Sequence, residues 1–182
     1  MESMIIQWLH GYRDWLLSLP YQGLNFLALL FFVGISISLT QVFARIANRC
    51  SFQAIMLRLL LDSLIIGILN CSSTLITLLM HEIVFSGDAN LLEFIKLSPL
   101  VILPGFFFVL SAAPYIGNAI VVMIIFVYLL NKIVLVQYIY NTSYADALKV
   151  SLPSFLLVTG IIWLLFADGW ENNYKALSDS YD

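Results

Sequence analysis

Between residues 4 and 19, apolar side chains return at helical spacing. Ile5, Trp8, Leu9, Tyr12, Trp15, Leu16 and Leu19 fall on one side, with Gln7, His10, Arg13, Asp14 and Ser18 on the other. Pro20 stops the pattern. An apolar stripe with two tryptophans beside a mixed-charge face predicts an amphipathic helix over residues 1–20 lying in the membrane interface, where Trp and Tyr favour the headgroup layer. The alternative is a soluble-type amphipathic helix docked on the rest of the protein.

Beyond Pro20 the two-faced pattern gives way to long apolar runs, and these predict an all-α, polytopic transmembrane bundle over residues 21–167. A span needs about 20 residues to cross a hydrocarbon core of about 30 Å. Five are expected, at about 24–43, 60–83, 97–113, 118–140 and 150–166. The second belongs to a longer helix from about Phe52, whose first turns lie outside the hydrocarbon and place Arg58 and Asp62 four apart for pairing. An amphipathic segment from Leu91 leads into the third, where Pro104 is expected to bend the helix. Pro114-Tyr115-Ile116-Gly117-Asn118 has the residue types of a tight turn, joining the third and fourth spans as a hairpin. After the break at Asn141-Thr142-Ser143, Ser143 and Asp146 resemble a capping box for a last helix, which Pro153 is expected to interrupt. Residues 168–182 are polar and acidic and are expected to form a solvent-exposed, partly disordered tail.

Composition agrees with this pattern. Of 182 residues, 62% are hydrophobic and 10% charged, and the mean hydropathy is +0.97. Soluble domains run nearer 45–50% apolar and about 25% charged, so one water-exposed core would not hide this much apolar surface. The net charge of −3 and eight scattered Lys and Arg leave no footprint for nucleic acid. The N-terminus, with Glu2 early and Arg13 and Asp14 late, lacks the pattern of a cleaved signal peptide and is expected to remain in the mature chain. Cys50 and Cys71 form no framework, and neither a disulfide nor a metal site is expected from them.

Chemistry is sparse. There is no nucleophile elbow, no phosphate-binding glycine loop and no second histidine beside His81-Glu82, so no enzyme activity, cofactor or metal is expected. Neither His10 nor His81 sits in a ligand-spaced cluster. Asn141-Thr142-Ser143 matches the glycosylation pattern, which matters only in a lumenal loop. The candidate polar face lies on the second span, where Asn70, Ser73, Thr77 and His81 continue the line of Asp62 at spacings of three and four. Polar groups are costly in lipid, so this face is expected to look inward. It would serve either as interhelical hydrogen bonding or as the lining of a polar path. Lys132, the lone charge of the fourth span, shares a side with Tyr128, Leu135 and Tyr138. It is expected either to snorkel to an interface or to pair with Asp62 or another acid.

From Gly87 to Phe166 the chain resembles the Yip1-domain family of small five-helix membrane proteins. The resemblance rests on Leu91-Leu92-Glu93-Phe94, the proline-containing third helix and Pro114-Tyr115-Ile116-Gly117. It continues with Ser143-Tyr144-Ala145-Asp146-Ala147-Leu148-Lys149 ahead of Pro153. It implies a scaffold-like membrane role with partner binding and no catalysis. The expected function is therefore that of a non-enzymatic accessory, assembly or scaffold subunit, with membrane lipids and other membrane proteins as partners. The alternative is a small transporter or channel using the polar face and Lys132. Orientation stays open: Arg45, Arg49 and Arg58 favour their loop inside, whereas the resemblance implies an inside N-terminus.

Overall fold

Apolar chain segments satisfy their backbone most simply as helices, and helices dominate the computed structural model. It describes residues 2–19, 26–47, 49–85, 91–113 and 116–178. The elements are α1 (Glu2–Ser18), α2 (Phe26–Leu39), α3 (Val42–Ala47), α4 (Phe52–Phe85), α5 (Leu91–Ile102), a 3-10 segment (Leu103–Ala112), α6 (Gly117–Tyr140) and α7 (Tyr144–Ser178). Among the described residues there is no strand. Local chemistry sets several ends. The Ser51 hydroxyl accepts the Ala54 amide at 3.3 Å at the start of α4, and Asn141 closes α6 in the left-handed conformation (φ 49°, ψ 40°). Ser143 accepts the Asp146 amide at 3.1 Å and donates to its carboxylate at 2.8 Å, so the expected cap forms at α7.

Among the described residues, four helical stretches are long and apolar enough to cross a membrane: Phe52–Phe85, Leu92–Ala112, Gly117–Tyr140 and Tyr144–Leu165. The first of the five expected spans differs. Instead of one run over 24–43, α2 has 14 residues, about 21 Å by helical rise, and residues 24 and 25 lie outside the described residues. The break comes at Thr40-Gln41. Their amides bond back to the Ile37 and Ser38 carbonyls at 3.3 and 3.1 Å, and the Thr40 hydroxyl caps Ile37 at 2.6 Å. A short helix, α3, then begins at Val42 and packs against α7.

The third span is composite rather than simply bent. Pro99 sits inside α5, and from Leu103 the helix tightens to 3-10 with Pro104 at its start. Ser36 of α2 satisfies the backbone there, donating to the Phe106 carbonyl at 2.7 Å and accepting the Val109 amide at 3.0 Å. Pro153, by contrast, does not interrupt α7. Nor is the tail irregular: α7 continues through Ser178, and residues 179–182 lie outside the described residues. The segment after Gly169 holds no proline and includes Glu171, Lys175, Ala176 and Leu177. These are good helix formers, so a helix already nucleated upstream propagates through them.

Of the expected turn, Pro114 and Tyr115 lie outside the described residues. The 3-10 segment packs back along α6, as a hairpin requires. Gly117 permits the close return, because a Cβ there would stand 2.1 Å from the Ser111 carbonyl oxygen. Around this hairpin, α2 lies against α4 and the 3-10 segment, α4 against α7, and α6 against α5 and α7.

Helix α1 docks on α6. Leu16 is buried among Leu97, Leu100, Val134 and Leu135, and the Tyr12 hydroxyl donates to Asn131. Arg13 and His10, read as the polar face, turn to Gln137 and Tyr144. Met4, Ile5, Trp8 and Trp15 remain more than half exposed. The helix therefore packs by one edge and leaves an apolar, tryptophan-bearing face uncovered.

Helix α2 approaches α4 closely at Gly34, where a Cβ would lie 2.3 Å from Ser63 Cα. Gly34→Ala should therefore destabilise the folded protein by about 1–3 kcal/mol through overpacking. Gly160, which has nothing within 4 Å of such a Cβ, should accept alanine without loss. Denaturation in detergent, followed by circular dichroism, measures both.

Candidate functional site: a polar seam inside the bundle

Helix α4 carries Asp62, Ser63, Asn70, Ser73, Thr77 and His81 on its buried side. The predicted polar face thus looks into the bundle, and its members fall into three groups along the helix.

Near the start, Asp62 is fully buried and held by two arginines. Its Oδ2 accepts from Ser38 at 2.8 Å and from Arg45 at 3.2 Å. Arg58 Nε lies 3.0 Å from Oδ1, so the expected pairing four residues apart is present. That oxygen has no aligned hydrogen bond, which makes the Arg58 contact electrostatic rather than directional. Arg45 is further anchored by Gln41 at 2.6 Å and Ser38 at 3.2 Å. A buried carboxylate survives only when charge and hydrogen bonds compensate it, and the break after α2 is what brings Arg45 round to do this.

At the middle, Lys132 is 2% exposed. Its Nζ donates to Ser73 of α4 and Ser154 of α7, each at 2.6 Å. The lysine neither snorkels nor pairs with Asp62. Asp62 lies about 16 Å from Ser73 along α4 by helical rise, and the two serines meet the ammonium well inside the bundle. The network extends outward from them. Thr77 and Ser154 share a hydrogen bond at 2.8 Å, Ser154 donates to the Ser151 carbonyl at 3.0 Å, and Tyr128 donates to Asn70 at 3.0 Å. Asn70 in turn donates to the Ile66 carbonyl at 2.9 Å. Asn70, Ser73, Ser98, Tyr128 and Lys132 line a cavity of about 10 Å³, room for about one water molecule. Tyr138, grouped with Lys132 by sequence, instead faces outward at 44% exposure.

At the far end, His81 is buried and stacked on Tyr140, with ring centroids 3.5 Å apart, and Phe85 lies beyond at 5.2 Å. Neither His81 Nδ1 nor the Tyr140 hydroxyl has a hydrogen-bond partner among the described residues. This end is an aromatic contact rather than a continuation of the central network.

The described residues hold no group of three metal-ligating side chains, and Cys50 and Cys71 are both free. At the edge of the bundle, burial raises the pKa of the Tyr12 phenol, which keeps it a donor toward Asn131.

Sequence reasoning missed Ser38, Arg45, Ser98 and Ser154 as partners of the seam. Ser38, Gln41 and Arg45 are spaced by three and four, a signal readable in the chain. Ser98 and Ser154 each adjoin a proline in an apolar run, with nothing local to show that they face inward. Comparison with family models, curated proteins and solved structures gave no match.

Asp62 and its exposed partner Arg58 make a graded test. Asp62→Ala should cost about 3 kcal/mol, because it leaves the mostly buried Arg45 without its counter-charge. Arg58→Ala should cost less than about 1 kcal/mol, since that side chain is half exposed and screened. Equal losses in chemical denaturation would contradict the assignment of Arg45 as the principal partner.

Proposed function

We propose that this chain is a multi-pass integral membrane protein that works without catalysis, through protein and lipid contacts, as an accessory, assembly or scaffold subunit of the Yip1 type. The observation that carries this reading is the direction in which polarity is turned. Lys132, Asn70, Ser73, Thr77 and Ser154 spend their hydrogen bonds on one another and on nearby backbone, around a space no larger than one water. The outward faces are apolar. Leu64, Ile68, Leu75, Met123, Phe126 and Trp163 are each more than half exposed, a surface suited to acyl chains or to other apolar helices.

The α1 face fits the same role. With Leu16 and Tyr12 holding the helix to α6, the uncovered Trp8 and Trp15 are placed for the headgroup layer. Spin labels at successive α1 positions should report membrane depth oscillating with a helical period, deepest near Ile5, Trp8 and Trp15. Uniform exposure to water along the helix would remove this part of the proposal.

The second reading, a small transporter or channel, draws on the run of polar groups from Asp62 to His81. Reconstituted vesicles decide between the two. The unmutated protein should show solute and proton flux at background, and Asn70→Leu should leave it there while weakening helix association or partner binding. A single membrane hydrogen bond averages about 0.6 kcal/mol, so Thr77→Ala should also be mild. Flux above background that Asn70→Leu abolishes, with helicity intact, would replace the scaffold reading by transport. Purification in mild detergent should retain stoichiometric membrane-protein partners.

A further inference from the structure

We infer that the junction of α3 and α4 binds an anionic phospholipid, with Arg58 on its phosphate and the outer face of α4 along its acyl chains. The inference rests on the reading of the chain as an integral membrane protein with lipid contacts, and it names the class of lipid. Charge is the starting point. From Phe26 to Asp62 the sequence holds Arg45, Arg49 and Arg58 against a single acid, Asp62. That acid is already shared between Arg45 and Arg58, so positive charge is left over at this end of the bundle.

The two outer arginines are placed to meet an anion. Arg58 is 52% exposed; its Nε faces Asp62 at 3.0 Å, and its terminal nitrogens have no hydrogen bond among the described residues. Arg49 is exposed and stands at φ 55°. The Cys50 amide returns to the Arg45 carbonyl at 3.0 Å and the Arg49 amide to the Ile46 carbonyl at 2.9 Å, a helix ending that glycine usually fills. Arginine there accepts backbone strain that glycine would avoid, and it sets an exposed guanidinium just ahead of α4.

Depth fits a headgroup. The uncharged stretch of α4, residues 63–80, rises about 27 Å, close to the hydrocarbon thickness of about 30 Å. Arg58 precedes it by roughly 7 Å, which is the phosphate layer. Leu57, Leu61, Leu64 and Ile68 are all exposed, and spacings of three and four put them on one face running from Arg58 toward the hydrocarbon. An acidic peptide in water would engage only the arginines. A phospholipid uses both the charge and the apolar strip.

The test is thermal unfolding of the full-length protein in neutral detergent, with phosphatidylglycerol or phosphatidylcholine of the same chains titrated in. A ligand that binds the folded state raises Tm with its concentration. Phosphatidylglycerol should raise Tm where phosphatidylcholine does not, and the difference should shrink in high salt. Arg58→Gln should weaken the apparent affinity for phosphatidylglycerol roughly fivefold, the worth of one arginine at a membrane surface. Should that variant fail to fold, Arg49→Gln carries the comparison with the same expected direction. Lys149→Gln, at the exposed start of α7, should leave the lipid response unchanged. Equal responses to the two lipids overturn the proposal and assign Arg49 and Arg58 to acids of α7 such as Asp168 or Glu171. A preference retained without Arg58, or lost equally without Lys149, overturns it as well. So does an equal shift by inorganic phosphate, which would mark a site for a free anion. Membrane-protein partners still retained on purification after such a result would leave the scaffold reading standing.

Discussion

The rest of the bundle is arranged around a lysine held inside it. Lys132 approaches Ser73 and Ser154 at 2.6 Å from a position almost closed to the surroundings. Those two hydroxyls come from α4 and α7, so one ammonium fixes the relative rotation of three helices. Apolar contacts alone specify rotation weakly in a membrane, because lipid tails are as apolar as leucine. A polar group that must find acceptors removes that freedom, since any rotation that turns Lys132 outward leaves it unpaired. The same logic places Thr77 on Ser154 and Tyr128 on Asn70.

The irregular elements follow from similar needs. Helix α2 stops early, and the turn at Thr40-Gln41 returns Arg45 toward Asp62. The shortened helix also brings Ser36 to the backbone of the 3-10 segment, where it serves one donor and one acceptor. Close approach of α2 to α4 depends on Gly34 meeting Ser63 without a side chain between them. Each departure from a plain spanning helix is thus matched by a polar or steric partner on a neighbouring element.

This distribution bears on function through what is left over. Inside, the central hydrogen bonds close on each other and leave room for about one water. Outside, the long helices and the free edge of α1 present leucine, isoleucine, phenylalanine and tryptophan. In the proposed scaffold reading the outer surface makes the contacts, and the interior lysine serves to keep that surface in one arrangement. The aromatic stack of His81 on Tyr140 belongs to the same scaffold, closing the end of the seam with rings rather than hydrogen bonds.

Much of the architecture was legible in the chain because it depends on local runs and spacings. Apolar stretches long enough to cross a membrane, the Asn141–Asp146 break and cap, and the inward polar face of α4 all follow from composition and helical period. The Arg58–Asp62 contact was legible for the same reason, since both residues lie on one helix. What tertiary structure decided was every pairing between helices. Lys132 meets Ser73 and Ser154 rather than Asp62, Asp62 takes Arg45 as a second partner, and α1 turns His10 and Arg13 toward α7 and α6. It also decided how each proline acts: Pro104 opens a 3-10 segment whose backbone Ser36 satisfies, while Pro153 rides within a continuous α7. Helical period says which side of a helix is polar, but not which neighbour will face it. That choice is made only when several helices pack together and each buried polar group must find its partner at once.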